Sequence, residues 1–357
     1  LIDEDYSIYT VMPKLTSFSP LLNINSNGYS YSGESPPDSL FDGVGEKILE
    51  ILNSPMKSPW FFYIHLMDLH WPLNVPQKFE DEKFGKDKYD RVVSSIDYHL
   101  KKFIDMLNLE ETLIIITSDH GHPIPYDEKD TTSFEPDLKL GLKVGKKLMP
   151  KFSHKFGARI FNKTRETVKN KRLQVANQNL SEYEIRSRLP PFIQSLFDEL
   201  VKTPLLFSGY KMESLIIKKQ TRSLDIFPTV FDLLGFNYSG KTQGKSLLPL
   251  IRGDDYEENP CYMHTIPHEK LSDNDQVGIR TSKYKYFRHA RNSSSNIHLY
   301  DLTQDTLENK NIYQENSEKI HEMEEIITKF SNFTDDSILD EEEEAKIREE
   351  LKRLGYL

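Results

Sequence analysis

Cysteine is nearly absent from this sequence, since Cys261 is the only one among 357 residues. A single thiol excludes an intramolecular disulfide and any metal centre held by several cysteines. Long apolar runs are also missing, because no stretch approaches the roughly 18 apolar residues that span a bilayer. The first residues carry no charged and then apolar targeting signal. These features leave the location open between the cytoplasm and the cell envelope.

The charge balance is acidic, with 56 Asp and Glu against 46 Lys and Arg and a net charge of -10. The phosphate backbone of nucleic acids repels a chain of this charge. We therefore exclude nucleic acid as a general partner.

Apolar periodicity predicts alternating helices and strands after an irregular entry over residues 1–40, which are rich in Ser, Asn, Pro and Gly. The expected elements are helix 42–52, strand 60–66, helix 86–107, strand 113–117, strand 203–209 and helix 225–235, then short strands at 277–280, 284–287 and 298–300. This order predicts an α/β fold around a mostly parallel sheet, with a small antiparallel subdomain at the C-terminus.

The strand at 113–117 leads directly into Ser118, Asp119, His120 and Gly121. Sites in α/β proteins lie at the carboxyl ends of parallel strands. A carboxylate and an imidazole at that edge supply two ligands for a cation, and the glycine lets the backbone turn so that both face one ion. The alternative interpretation is that Asp119 caps the next element beside an ordinary exposed histidine.

His70 follows the aromatic strand at 60–66, between Leu69 and Trp71. A histidine at a strand end can hydrogen-bond an anionic substrate or protonate a leaving group. The alternative, which His70 taken alone favours, is that it and Trp71 only pack the loop.

Six short motifs follow one another along the chain. They are Asp68-Leu69-His70-Trp71-Pro72, Ser95-Ile96-Asp97, Thr117-Ser118-Asp119-His120-Gly121, Thr203-Pro204-Leu205-Leu206, Asp225-Ile226-Phe227-Pro228-Thr229 and Gly244-Lys245-Ser246-Leu247-Leu248-Pro249-Leu250. In this order they resemble the sulfatase family, which lies within the alkaline-phosphatase-like superfamily. Segments 278–286, 299–302 and 308–311 are similar to the family's C-terminal subdomain, and the closing residues 354–357 resemble the end of many prokaryotic members.

The resemblance implies an alkaline-phosphatase-like sandwich, a divalent cation and hydrolysis of a sulfate ester. The cation is usually Ca²⁺ in sulfatases, with Mn²⁺ or Zn²⁺ as the alternatives in related enzymes. Asp119 and His120 match the family's second pair of metal ligands, and His70 matches its substrate-binding histidine. The family's nucleophile is a hydrated formylglycine made from the Cys or Ser of a C/S-x-P-x-R motif, and the cation's charge assists its attack.

Parts of the family pattern are missing from this sequence. Cys261 lies far past the place of the nucleophile motif, and the first pair of metal aspartates is not found. In sulfatases these parts precede the region where this chain starts, so we expect that it lacks an N-terminal portion. The family's Lys or His on the leaving-group side is also replaced, by Pro190 to Ser195, which leaves Lys129 as the candidate for that role.

A basic segment interrupts the family pattern. Residues 139–172 contain 12 Lys or Arg and one acidic residue, Glu166, and seven of the basic residues recur every four positions from Lys139 to Lys163. This spacing predicts a basic helical stripe, although Pro150 breaks or kinks the helix. The segment is interpreted as a solvated excursion, as a helix that contacts an anionic membrane surface, or as a lid over a polyanionic substrate.

These observations predict a partial sulfatase-like catalytic domain over residues 1–255, with a basic helical insertion at about 129–190, and a C-terminal subdomain with an acidic tail over 256–357. The leading functional hypothesis is a metal-dependent hydrolase of an anionic small-molecule, glycan or lipid sulfate ester. A phosphoester hydrolase or phosphoalcohol transferase of the same superfamily, with a Thr or Ser nucleophile, is one alternative. A non-catalytic protein that binds a polyanion or a membrane is the other.

Overall fold

The computed structural model describes residues 5–14, 27–33, 37–70, 72–122, 167, 171–172, 174–175, 177–187, 195–210, 212–237, 242–265 and 274–331. The chain forms two compact units. The described residues of the first unit come from 1–117 and 204–214, and those of the second unit from 118–203 and 215–335. Lys129, the basic stripe from Lys139 to Lys163 and the acidic tail lie outside the described residues, so their predictions stay predictions. The same holds for a domain boundary at residue 255.

The first unit contains a parallel sheet with the strand order β2-β1-β3. The strands are β1 (Ser7–Pro13), β2 (Gly28–Tyr31) and β3 (Trp60–Ile64). In the middle strand, Thr10 lies opposite Gly28 on one side, and Ser7 lies opposite Trp60 on the other. Because the strands are parallel, their carboxyl ends share one edge of the sheet.

The prediction of an irregular entry over residues 1–40 is wrong, because β1 and β2 lie there. The Ser, Asn, Pro and Gly of the flanking segments masked the strand pattern of Ile8 to Met12. Val11 is fully buried and Thr10 is 1% exposed. β1 is stabilised by pairing with a strand on each side, which local composition does not report.

Helices α1 (Val44–Asn53) and α2 (Lys88–Ile104) belong to the same unit, with short 3-10 helices at Leu40–Asp42, Gln77–Phe79 and Glu82–Phe84. Both α-helices confirm the predicted periodicity, with α2 starting where the Asp87 carboxylate accepts the N–H of Asp90 at 2.9 Å. Val11, Ile48 and Phe103 belong to one buried cluster that joins the sheet to both helices.

Strands β4 (Leu113–Thr117) and β5 (Leu205–Gly209) complete the described elements of the first unit, and both were predicted. They pair antiparallel, with Leu113 opposite Gly209 and Thr117 opposite Leu205. The α/β class is therefore confirmed, while the strand arrangement is mixed.

The second unit holds the predicted antiparallel subdomain, a sheet with the order β6-β7-β8-β9. Its strands are β6 (Cys261–His264), β7 (Gln276–Arg280), β8 (Tyr284–His289) and β9 (His298–Asp301), and its helices are α3 (Glu182–Ser187), α4 (Asp198–Val201), α5 (Ile226–Leu234), α6 (Leu248–Arg252) and α7 (Ser317–Ser331), with 3-10 turns at Ser223–Asp225 and Tyr313–Glu315. Helix α7, for which there was no prediction, packs Met323 and Ile327 against Val277 and Tyr286. Among the described residues, no helix combines the length and apolarity that crossing a membrane requires.

Candidate functional site

Asp119 and His120 lie in the loop that follows β4, where the sequence placed them. Both side chains are exposed, at 63% for Asp119 and 53% for His120. Oδ1 of Asp119 accepts the backbone N–H of His120 at 2.8 Å. Its Oδ2 lies 3.8 Å from Nε2 of His120. The structure thus brings the two predicted ligand groups side by side.

The imidazole of His120 is held in one tautomer. Its Nδ1 lies 2.7 Å from the carbonyl oxygen of Gly121. A carbonyl oxygen only accepts, so Nδ1 carries the proton and donates it. In the neutral ring, Nε2 therefore keeps its lone pair free for an electrophile.

The two groups fit a divalent cation. Atoms separated by 3.8 Å can both lie about 2.0–2.5 Å from one ion. A metal-bound histidine usually donates its other N–H to a carbonyl or carboxylate, as Nδ1 of His120 does. In the described part of the chain, no three His, Cys, Asp or Glu side chains are grouped to hold a metal.

Gly121 holds this loop against α4. Its N–H donates to the carbonyl of Leu200 at 2.8 Å. A Cβ at this position would lie 2.2 Å from the carbonyl oxygen of Glu199, which is far inside van der Waals contact. The glycine is needed because of this close approach and not, as the sequence suggested, because of a tight turn.

His70 is exposed in the turn after β3, where its N–H donates to the carbonyl of Met67 at 2.9 Å. It belongs to the first unit, whereas Asp119 and His120 belong to the second. The prediction that His70 binds the substrate stays a prediction.

Asp68, beside His70, is a buried carboxylate that sequence reasoning missed. Its Oδ1 accepts the N–H of Leu40 at 3.0 Å. Burial raises the pKa of Asp68 to about 6, and the charge of Asp42 adds to the rise, while the bond from Leu40 opposes it. Asp68 therefore ties the turn that carries His70 to the backbone of Leu40.

A buried ion network in the second unit was also missed. Oδ1 and Oδ2 of Asp198 accept from Nε and an Nη of Arg280 at 2.9 and 2.7 Å. Lys285, which is fully buried, places its Nζ 2.7 Å from Asp198 and 2.8 Å from Glu308. Burial alone would raise the pKa of Asp198, but the hydrogen bonds and charges of Arg280 and Lys285 hold it well below the usual range. The sequence signal was a lysine flanked by Tyr284 and Tyr286 in a strand, β8.

The family model described as Sulfatase matches residues 20–236, more than half of the chain. A second model, described as N-sulphoglucosamine sulphohydrolase, C-terminal, matches residues 194–333. The chain belongs to the sulfatase family.

Two curated proteins illustrate the relationship. The chain is 28% identical over 129 residues to the Delta 4,5-hexuronate-2-O-sulfatase of Bacteroides thetaiotaomicron. This alignment covers 33% of this chain and 25% of that protein. It is 29% identical over 122 residues to Arylsulfatase K of Danio rerio, covering 33% of this chain and 23% of the relative. The aligned segments thus span about a quarter of these relatives.

Solved structures share the fold over most of the chain. The structure of BT1596, a 2-O GAG sulfatase, superposes with a TM-score of 0.57 at 16% identity, covering 94% of this chain and 73% of that chain. The crystal structure of Ps i-CgsB superposes with a TM-score of 0.56 at 14% identity, covering 99% and 79%. The fold is therefore alkaline-phosphatase-like, as the resemblance implied.

Proposed function

We propose that the protein hydrolyses sulfate esters with the help of a divalent cation, most simply Ca²⁺. The observation that carries this proposal is the pairing of Asp119 Oδ2 and His120 Nε2 at 3.8 Å, with the histidine tautomer set by Gly121. Membership of the sulfatase family supports it. A bound cation would supply positive charge that stabilises the charge developing on the sulfate during attack.

The residues of this chain have separate roles in the proposal. Asp119 contributes a hard oxygen ligand and His120 an imidazole nitrogen. His70 donates a hydrogen bond to a sulfate oxygen from its exposed position after β3. The sequence contains no C/S-x-P-x-R motif, so the nucleophile is assigned to no residue here. Lys129 stays the candidate on the leaving-group side.

We infer that the substrate is a sulfated glycan. The support comes from relatives whose names specify hexuronate 2-O-sulfate and 2-O GAG sulfate. A sulfated sugar presents a compact anion on a polar ring, which suits the exposed ligand pair Asp119 and His120.

The test is release of inorganic sulfate from a 2-O-sulfated unsaturated disaccharide, measured by ion chromatography with added Ca²⁺. Asp119→Asn and His120→Asn are expected to lower the rate by about 100-fold or more. His321→Asn is the matched control, because His321 is an exposed histidine 3.4 Å from the Glu325 carboxylate in α7.

Two outcomes would overturn the proposal. Turnover of bis(p-nitrophenyl) phosphate in place of sulfate esters would favour the phosphoester alternative. No turnover of any ester, together with retention on anionic liposomes that depends on residues 139–172, would favour the non-catalytic alternative.

A further inference from the structure

The loop that carries Asp119 and His120 is attached to α4 by backbone contacts. Gly121 donates to the Leu200 carbonyl at 2.8 Å and has no room for a Cβ against Glu199. A displacement of α4 would therefore move the loop, because the backbones of the loop and of α4 are in close contact.

Helix α4 is too short to hold itself in place. It has four residues, Asp198 to Val201, and an isolated helix of this length is unstable in water. Its position therefore depends on contacts with the rest of the chain, among them side-chain contacts within the second unit.

Two anchors supply those contacts. Asp198 is bound by Arg280 of β7 and Lys285 of β8, and its own N–H donates to Oε2 of Glu308 at 2.7 Å. Next to it, Glu199 accepts from Nε of Arg186 at 2.9 Å. The same guanidinium donates to the carbonyls of residues 307 and 308, at 2.9 Å each.

We propose that Asp198 is a positioning residue for the Asp119–His120 pair. It keeps the loop that carries the pair in place through α4 and Gly121. The inference rests on the proposed function in giving that pair the role of metal ligands. Two parallel bonds from a guanidinium fix a carboxylate in direction as well as distance, which an apolar contact would not do. This directional restraint is what a ligand pair 3.8 Å apart requires, since small displacements of ligands weaken metal binding.

Asp198→Asn is the test variant. It keeps the shape of the side chain, and Lys285 retains Glu308 as a partner at 2.8 Å. Glu324→Gln is the matched control, because it breaks a second bidentate pair, to Arg288 at 2.7 and 2.9 Å, on β8 and α7. Glu324 does not take part in the contacts that hold α4.

The first readout is hydrogen exchange of the Gly121 amide, which needs neither metal nor activity. We expect exchange to be about tenfold faster in Asp198→Asn and unchanged in Glu324→Gln. Equal exchange in Asp198→Asn and the unsubstituted protein would overturn the inference.

The second readout is Ca²⁺ affinity by calorimetric titration. We expect Asp198→Asn to weaken binding by about tenfold or more, and Glu324→Gln to leave it unchanged. If the unsubstituted protein binds no Ca²⁺, the metal part of the proposed function fails while the exchange result still decides the inference. Should Asp198→Asn not fold, Glu199→Gln is measured in its place, with the same expected direction and the same overturning result.

Discussion

His298 lies flat on Phe287 in the second unit, with ring centroids 4.4 Å apart and an angle of 10° between the planes. Its Nδ1 lies 3.0 Å from the hydroxyl of Tyr300, and its Nε2 lies 3.0 Å from Oδ1 of Asn296. Burial, aided by the charge of Arg186, lowers the pKa of His298 to about 4. The imidazole ring of His298 is therefore neutral in the folded structure.

This arrangement predicts acid sensitivity of the second unit. The unfolded chain takes up a proton on His298 near pH 6.5, whereas the folded chain does so only near pH 4. The unfolded state thus binds more protons in this window, and stability falls as the pH drops from 6.5 to 4, by about 2 kcal/mol. Urea unfolding across this range should show the slope, and His298→Gln should flatten it. The exposed control His321→Gln should keep the slope. An unchanged slope in His298→Gln would contradict the prediction.

Asp68 predicts the opposite pH dependence in the first unit. Its folded pKa of about 6 exceeds the ordinary value of 3.8, so the folded state binds more protons between these values. The stability that protonated Asp68 contributes to the folded state is present at low pH and is lost as the pH rises through 6.

Asp68→Asn keeps an acceptor for the N–H of Leu40 and removes the buried charge. We expect it to raise the free energy of unfolding at pH 8 by about 2 kcal/mol, with little change at pH 4. Asp105→Asn, at the exposed ion pair with Lys101, is the control and should change stability by less than about 0.5 kcal/mol. Destabilisation of Asp68→Asn at pH 8 would mean that the ionised carboxylate is required.

We expect the first unit to become more stable when His99 is replaced by an apolar residue. It is 2% exposed in α2, and among the described residues neither ring nitrogen has a hydrogen-bond partner. Its ring packs against Phe41 at 4.6 Å, and a Cβ on Gly45 would lie 2.6 Å from it. Burial and the charge of Lys102 lower its pKa, although Glu46 opposes the shift.

We expect His99→Leu to stabilise the first unit by about 1 kcal/mol at pH 7.5, because it removes two unpaired polar atoms. The gain should grow toward pH 5, since the lowered pKa makes the folded protein with His99 lose stability as the pH falls. Thermal unfolding of His99→Leu and of the exposed control His321→Leu measures this. A lower unfolding temperature for His99→Leu at both pH values would refute it.

We expect Gly121→Ala to lose function because it displaces the backbone. The new Cβ would overlap the carbonyl oxygen of Glu199 at 2.2 Å, so the loop or α4 must shift. We expect the rate of sulfate release to fall by at least about tenfold, with a destabilisation of about 1–3 kcal/mol. Gly253→Ala is the control: its Cβ meets nothing within 4 Å, and it carries only the strain of a φ of 79°. Equal rates in the two variants would show that the contact with α4 is dispensable.

Much of the fold was predictable because its signals are local. The strand from Leu113 to Thr117 was predicted with the bounds that the structure has, since a run of β-branched residues with a polar residue after it needs no distant partner to be recognised. The placement of Asp119 and His120 after that strand follows from chain connectivity alone. β1 escaped prediction because the Ser, Asn, Pro and Gly of the flanking segments masked the strand pattern of Ile8 to Met12.

By itself, the sequence determined the α/β class, the family, and the adjacency of Asp119 and His120 beyond β4. Only the tertiary structure decided that β4 and β5 pair antiparallel and that Gly121 is confined by α4. The same is true of the Asp198 network, whose partners Arg280, Lys285 and Glu308 lie 82, 87 and 110 residues away along the chain. Periodicity reports which face of an element is buried. It does not report which charged groups meet there, because an ion pair depends on the positions of two distant segments at once.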